Sequence, residues 1–140
     1  LAASVKLANG QTTEAFNTYN NALKIYPQHR ALIHGYAQAL IHDKQTKTAL
    51  EFINKQLLFI QNDSRLFNLQ AECYALLGDK MLKHRALAES YMLKGHYAGA
   101  IDQLQTALQN SNGNFYQLSS VEARLKQIQL LKTEEDETTK

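Results

Sequence analysis

The chain has almost none of the residues that crosslink or interrupt a fold. It contains one cysteine, Cys73, one proline, Pro27, and no tryptophan. A single cysteine cannot form a disulfide within the chain, so cysteine content indicates no redox compartment. With little proline, turns must be marked by clusters of glycine and asparagine instead. The length of 140 residues allows one domain with a continuous core and leaves little room for a second.

Excess charge of one sign and long apolar runs are also lacking. The formal net charge is +2 and the basic residues are spread along the chain, which argues against nucleic-acid and acidic-membrane partners. No run approaches the roughly 20 apolar residues that span a bilayer. The chain starts at Leu1 without an initiator Met and without a basic region followed by an apolar stretch. We therefore expect no signal peptide here and either a processed protein or a piece cut from a longer one.

Catalytic and metal-binding patterns are missing as well. The zinc motif His-Glu-x-x-His needs two histidines four residues apart, and no histidine pair here has that spacing. His34 and His42 would lie about 12 Å apart along a helix, too far for one ion. Cys73 has no neighbouring base, and we expect it to pack as a small apolar residue. The sequence predicts no enzyme activity and no cofactor in this chain. Its histidines are His29, His34, His42, His84 and His96.

What the chain does contain is a pattern that repeats every 34 residues. Ala15 aligns with Ala49, and the turn position recurs as Gly10, Lys44 and Gly78. Apolar residues three and four apart fill the segments between turns, and none shows the alternation of a strand. We predict seven or eight antiparallel helices and no sheet. This pattern resembles the tetratricopeptide repeat (TPR), whose helix pairs stack into an α-solenoid with a concave, partner-binding face.

Small residues mark where the predicted helices cross, because two helices approach closely only there. The predicted crossing residues are Ala15, Ala49 and Ala100 in second helices and Ala3, Ala37, Ala71 and Ala88 in first helices. Larger residues are expected to fill the layers between them. These are Tyr19, Ile53 and Leu104 in one layer and Leu23, Leu57 and Leu108 in the next.

The repeat register breaks once, because Gly95 follows Gly78 after 17 residues, or half a repeat. We expect the helix between these glycines to close one repeat and open the next.

A final capping helix is predicted to begin at a capping box. Asn114 with Gln117 and Ser119 with Glu122 both fit that pattern. The solenoid domain is predicted over residues 1–131, and the polar residues 132–140 are predicted to be a disordered tail.

The first helix of each TPR unit lines the concave groove. Those positions hold polar residues of both charge signs, which suit an extended peptide, although ordinary solvated helix faces would look the same. One TPR subtype grips a chaperone's C-terminal carboxylate with Lys and Asn at set positions. Those positions are occupied by other residues here, which argues against that partner class: they hold His34, Gln38, Leu69 and Ala86. The predicted groove residues are His34, Gln38, His42, Arg65, Asn68, Glu72, Arg85, Glu89 and Met92.

Residues 85–125 carry a more specific resemblance. The runs Phe115-Tyr116-Gln117-Leu118-Ser119 and Glu122-Ala123-Arg124-Leu125 are similar to the C-terminal TPR domain of periplasmic zinc metalloproteases of the β-barrel assembly-enhancing protease family. The resemblance implies a non-catalytic periplasmic module whose missing protease domain carries the zinc. Implied partners are that protease domain, substrates and outer-membrane assembly proteins, with regulation of active-site access. The alternative is a stand-alone TPR adaptor or self-association module without a protease.

Overall fold

The computed structural model describes residues 12–111 and 113–139, and all regular secondary structure in these ranges is α-helical. The helices α1, α3 and α5 begin 34 residues apart, as do α2 and α4, so the repeat period of the sequence is the period of the helices. These findings confirm the predicted all-α, TPR-like solenoid class. The predictions for Ala3 and Gly10 lie outside the described residues. In chain order the helices are α1 Thr12–Ile25, α2 Arg30–His42, α3 Thr46–Leu57, α4 Ser64–Leu76, α5 Lys80–Leu93, α6 Tyr97–Gln109 and α7 Phe115–Thr138.

The chain divides into two compact units between Gln61 and Asn62. In the N-terminal unit, α2 packs against α1 and α3. In the C-terminal unit, α5 packs against α4 and α6, and α6 packs against α7. The helix α5 therefore has a partner on each side, as expected for a helix that two repeats share.

Three connections between helices have the same backbone geometry. Lys44, Gly78 and Gly95 have positive φ values of 64°, 81° and 75°. The residue after each one donates its N–H to a carbonyl oxygen five residues earlier, at 2.9 Å in all three cases. This is the Schellman arrangement that ends helices. The repeating turn position in the sequence is thus a left-handed residue just beyond a helix.

The predicted crossing alanines within the described residues are all buried, at Ala15, Ala37, Ala49, Ala71, Ala88 and Ala100. Of the larger predicted core residues, Tyr19, Ile53 and Leu104 are buried, whereas Leu23, Leu57 and Leu108 are half-buried. In the C-terminal unit a single apolar cluster joins α5, α6 and α7, from Met81 through Leu104 to Ile128. Because the side chains at the crossings are small, neighbouring helices can pack closely there.

Side-chain caps fix the starts of helices in the C-terminal unit, among them α4 and α7. Asp63 is buried and accepts a hydrogen bond from the N–H of Leu66 at 3.1 Å at the start of α4. Asn114 accepts from the N–H of Gln117 at 3.1 Å at the start of α7. The first of the two predicted capping positions is therefore the one used, and Ser119 lies inside the helix. Each cap satisfies a backbone donor that the helix itself cannot pair.

The helix α7 runs through the boundary predicted at Leu131 and ends at Thr138. Composition led us to expect a disordered tail over residues 132–140, and the structure differs over residues 132–138. An ion pair joins Lys132 Nζ to Asp136 Oδ2 at 2.8 Å, four residues apart on one helix face. Such pairs favour the helical conformation in a segment that is too polar to be buried.

Candidate protein-binding site

The helix α2 carries the predicted groove residues of the N-terminal unit. His34, Gln38 and His42 lie four residues apart and therefore share one face of the helix. Gln38 and His42 are exposed and His34 is half-buried, while Ile33 and Ala37 on the other side are buried. The arrangement gives α2 a polar outer face over an apolar inner one.

The helix α4 carries a second polar face, in the C-terminal unit. Arg65, Asn68 and Glu72 are all exposed, and they extend over about 10 Å of the helix axis. Leu69 and Cys73, on the helix face next to these residues, are buried. We call Arg65, Asn68 and Glu72 the α4 stripe. It offers a cation, an amide and an anion in a row, which are the groups that hydrogen-bond a peptide backbone and its side chains.

The helix α5 uses two of its three predicted groove residues inside the module. Glu89 accepts two hydrogen bonds from Arg124 of α7, from Nε at 2.7 Å and from Nη2 at 2.9 Å. This bidentate pair raises the pKa of Arg124, chiefly through its hydrogen bond to Glu89. Met92 packs against the apolar cluster of the C-terminal unit. Arg85, the third residue, is half-buried.

Arg124 is a residue that the groove prediction missed, although it stands in the Glu-Ala-Arg-Leu run that carried the family resemblance. Its side chain and that of Glu89 are 26% and 25% exposed, so the pair is largely shielded from solvent. Arg124 Nη1 also donates to Gln127 Oε1 at 2.7 Å. These bonds tie α7 to α5 on the face that repeat register assigns to the groove. The α4 stripe is therefore the part of the predicted surface in this unit whose residues are all exposed.

The N-terminal unit has a cleft that the sequence did not reveal. It has a volume of about 590 Å³ and opens between residues of α1 and α3. We call it the α1/α3 cleft. The rings of Tyr36 and Phe52 meet edge to face there, with centroids 4.8 Å apart. Among the described residues its lining is Asn20, Leu23, Lys24, Tyr36, Thr48, Glu51, Phe52 and Lys55.

Large apolar side chains are exposed at the ends of several helices. In the N-terminal unit they are found just beyond α3, where Leu58 is 72% and Phe59 84% exposed. In the C-terminal unit Phe115 and Tyr116 at the start of α7 are 71% and 86% exposed. Exposed aromatic and aliphatic anchors of this kind are common where proteins bind partners.

The described residues offer no assembled metal site. No three His, Cys, Asp or Glu side chains within that part of the chain are placed to hold an ion. His84 Nδ1 instead forms a hydrogen bond with Gln103 Oε1 at 2.8 Å. Cys73 is buried, and burial, followed by the charge of Glu72, raises its pKa to about 11. A thiol held protonated in this way is a poor nucleophile.

Over the same residues, the helices are too short or too polar to cross a membrane.

Comparisons with known proteins agree with this architecture. Residues 6–73 match the family described as tetratricopeptide repeat. A crystal structure of MamA is 13% identical, covers 99% of this chain and 97% of its own, and has a TM-score of 0.54. Another crystal structure of MamA protein is 12% identical over 90% of this chain and 81% of its own, with a TM-score of 0.53. At these identities the likeness establishes the fold.

A thermophilic TPR protein of Thermus thermophilus is 18% identical, covers 91% of this chain and 78% of its own, and has a TM-score of 0.47.

Repeats of the TPR type stack into extended surfaces that bind partner proteins, so the fold supports a protein–protein interaction module.

Proposed function

We propose that this TPR-like solenoid is a docking module that binds an extended segment of a partner protein along the α4 stripe. The observation that carries the proposal is the exposure of Arg65, Asn68 and Glu72 together on one face of a helix that is anchored by buried residues on the adjoining face. Side chains of both signs in a row can pair with backbone amides and carbonyls and with charged side chains of a bound segment.

The context that we propose is a periplasmic zinc metalloprotease of the β-barrel assembly-enhancing family. The support is the resemblance of residues 85–125, which includes both Glu89 and its partner Arg124. In this proposal the module recruits substrates or outer-membrane assembly proteins and regulates access to the active site of its own protease domain. Zinc belongs to that protease domain, and the location is the periplasm.

A stand-alone adaptor is the second candidate function. It is favoured by the open α1/α3 cleft and by exposed apolar residues such as Phe59, because these features can bind a partner protein without a protease domain. A gene that encodes His-Glu-x-x-His ahead of this segment would support the protease context, whereas a gene without it would support the adaptor.

The docking role is tested by chemical crosslinking of the purified chain to solubilised outer-membrane proteins, followed by mass spectrometry. The stripe variant carries Arg65→Glu and Glu72→Arg. The matched control carries Lys94→Glu and Glu122→Arg, which exchange the same charges at exposed positions of the same unit.

The expected result is that the wild type and the control capture β-barrel assembly components and the stripe variant does not. Equal capture by all three chains would place the binding surface elsewhere. Failure to capture any assembly component would contradict the proposed partner class.

A further inference from the structure

The α1/α3 cleft is a binding feature that the proposed docking role does not use. Its apolar lining is formed by Leu23, Tyr36 and Phe52, and two lysines, Lys24 and Lys55, stand at it with exposed side chains. Glu51 is the acidic residue of the lining. A ligand for such a cleft needs an apolar side chain for the aromatic rings and negative charge for the lysines.

The wider charge of this unit agrees with that requirement. Over residues 12–61 the sequence has five basic and three acidic residues. An acidic segment is therefore attracted to this unit before it reaches the cleft, and a basic one is repelled.

The end of α7 has the complementary properties. Ile128 is the last buried residue of the helix, and α7 continues to Thr138, which is about 15 Å further along the axis. Leu130 is 60% exposed on this segment. Residues 129–139 contain four acidic residues and one basic residue.

We propose that residues 129–138 of α7 dock in the α1/α3 cleft of a second copy of this chain. Leu130, Glu134 and Glu137 share one helix face, because they are spaced by four and three residues. On that face Leu130 can pack against Tyr36 and Phe52 while the carboxylates meet Lys24 and Lys55. The proposal goes beyond the docking role and does not depend on it, since it needs no partner other than the chain itself.

The geometry of this contact decides the kind of assembly that it forms. A helix end on one copy and a cleft on another are different surfaces, so the contact is heterologous. It closes a dimer if two copies exchange their helix ends, and it extends into longer chains if they do not. One helix end buries less surface than a standard stable interface. We therefore expect a dissociation constant of roughly 10–100 μM.

The test is sedimentation equilibrium of the full chain from about 5 μM to about 500 μM at low salt, a range that brackets the expected dissociation constant. The expected result is a weight-average mass that rises with concentration from near the monomer value of 15.8 kDa and approaches the dimer value, or exceeds it if longer chains form. High salt should lower the association, because the pairing charges are exposed. A monomer mass at every concentration would overturn the proposal.

Charge exchange identifies the two surfaces. The cleft variant carries Lys24→Glu and Lys55→Glu, and the helix variant carries Glu134→Lys and Glu137→Lys. All four positions are exposed, so the folded state should be retained, which circular dichroism checks. Each variant alone should associate at least about tenfold more weakly than the wild type, because like charges then face each other.

An equimolar mixture of the two variants should recover association, because each junction in the mixture again pairs opposite charges. A control chain with Lys80→Glu and Lys94→Glu makes the same change in net charge at positions outside the cleft, and it should associate like the wild type. Leu130→Ala should weaken association without changing charge. Association that all the variants retain, or a mixture that fails to recover it, would overturn the proposal.

Discussion

Positions 44 and 78 have the same backbone conformation but different residues, so substitutions at them should change stability in opposite directions. Lys44 has φ of 64° and Gly78 has φ of 81°. A residue with a Cβ atom pays about 1–2 kcal/mol for the left-handed conformation, and glycine does not. Glycine in turn leaves the unfolded chain about 0.4–1 kcal/mol more conformational freedom to lose.

The two contributions can be combined at each position. At Gly78 a new Cβ would meet no atom within 4 Å, so only the backbone terms count. Gly78→Ala should then lower the free energy of unfolding by about 1 kcal/mol. Lys44→Gly should raise it by about 0.5–1 kcal/mol for the same reason in reverse. Lys44→Ala is the control, because it removes the long side chain and keeps the strained backbone.

Urea denaturation followed by far-UV circular dichroism measures these changes. The midpoint should shift while the slope stays constant, because the surface exposed on unfolding is unchanged. Lys44→Ala should lie within about 0.5 kcal/mol of the wild type. A stabilising effect of Gly78→Ala, or equal effects of Lys44→Gly and Lys44→Ala, would refute the argument.

Three further predictions concern the C-terminal unit. Asp63→Ala should lower the free energy of unfolding by about 1–2 kcal/mol, because it removes the cap of α4, and thermal unfolding with Asp63→Asn as the conservative comparison checks this. Glu89→Gln and Arg124→Gln should each lower the free energy of unfolding by about 1–2 kcal/mol, since each breaks the same bidentate pair. A double-mutant cycle should give a coupling energy between the two positions, and additive effects would contradict a direct interaction. The thiol of Cys73 has its pKa raised from 9.0 to about 11, so it ionises more easily in the unfolded chain. The stability linked to this thiol is present below pH 9 and should fall as the pH rises to about 11, by an amount near 1 kcal/mol at pH 10 that Cys73→Ala should abolish in urea titrations.

The helices were predictable because their signal is repeated. Each crossing alanine in the described residues is followed four positions later by an apolar residue, as Ala49 is by Ile53, and the same spacing returns one period later. The turn at Lys44 could be placed although it is not glycine, because Gly78 occupies the same position in the next repeat. Periodicity therefore predicted the buried crossing alanines and the turns of the repeats, but not the partial exposure of Leu23, Leu57 and Leu108.

The candidate surfaces depend on contacts that periodicity does not contain. Glu89 was assigned to the groove by its register, but its partner Arg124 is on a capping helix outside the repeat. The α1/α3 cleft exists because two helices leave space beside Tyr36 and Phe52, and spacing between helices has no signature along the chain. The helical end of α7 was missed because amino-acid composition does not show a local ion pair such as the one between Lys132 and Asp136.

The Schellman connections have a practical consequence for engineering this chain. In each of them, the residue that completes the turn is also the N-cap residue of the next helix, as Asp79 is for α5. One inserted residue would rotate the following helix by about 100° and turn its buried alanine towards water. Epitope tags, fluorophores or new termini therefore belong in the longer connections, at residues 59–62 and 110–111, where the inserted residues leave the capping residues Asp63 and Asn114 in place.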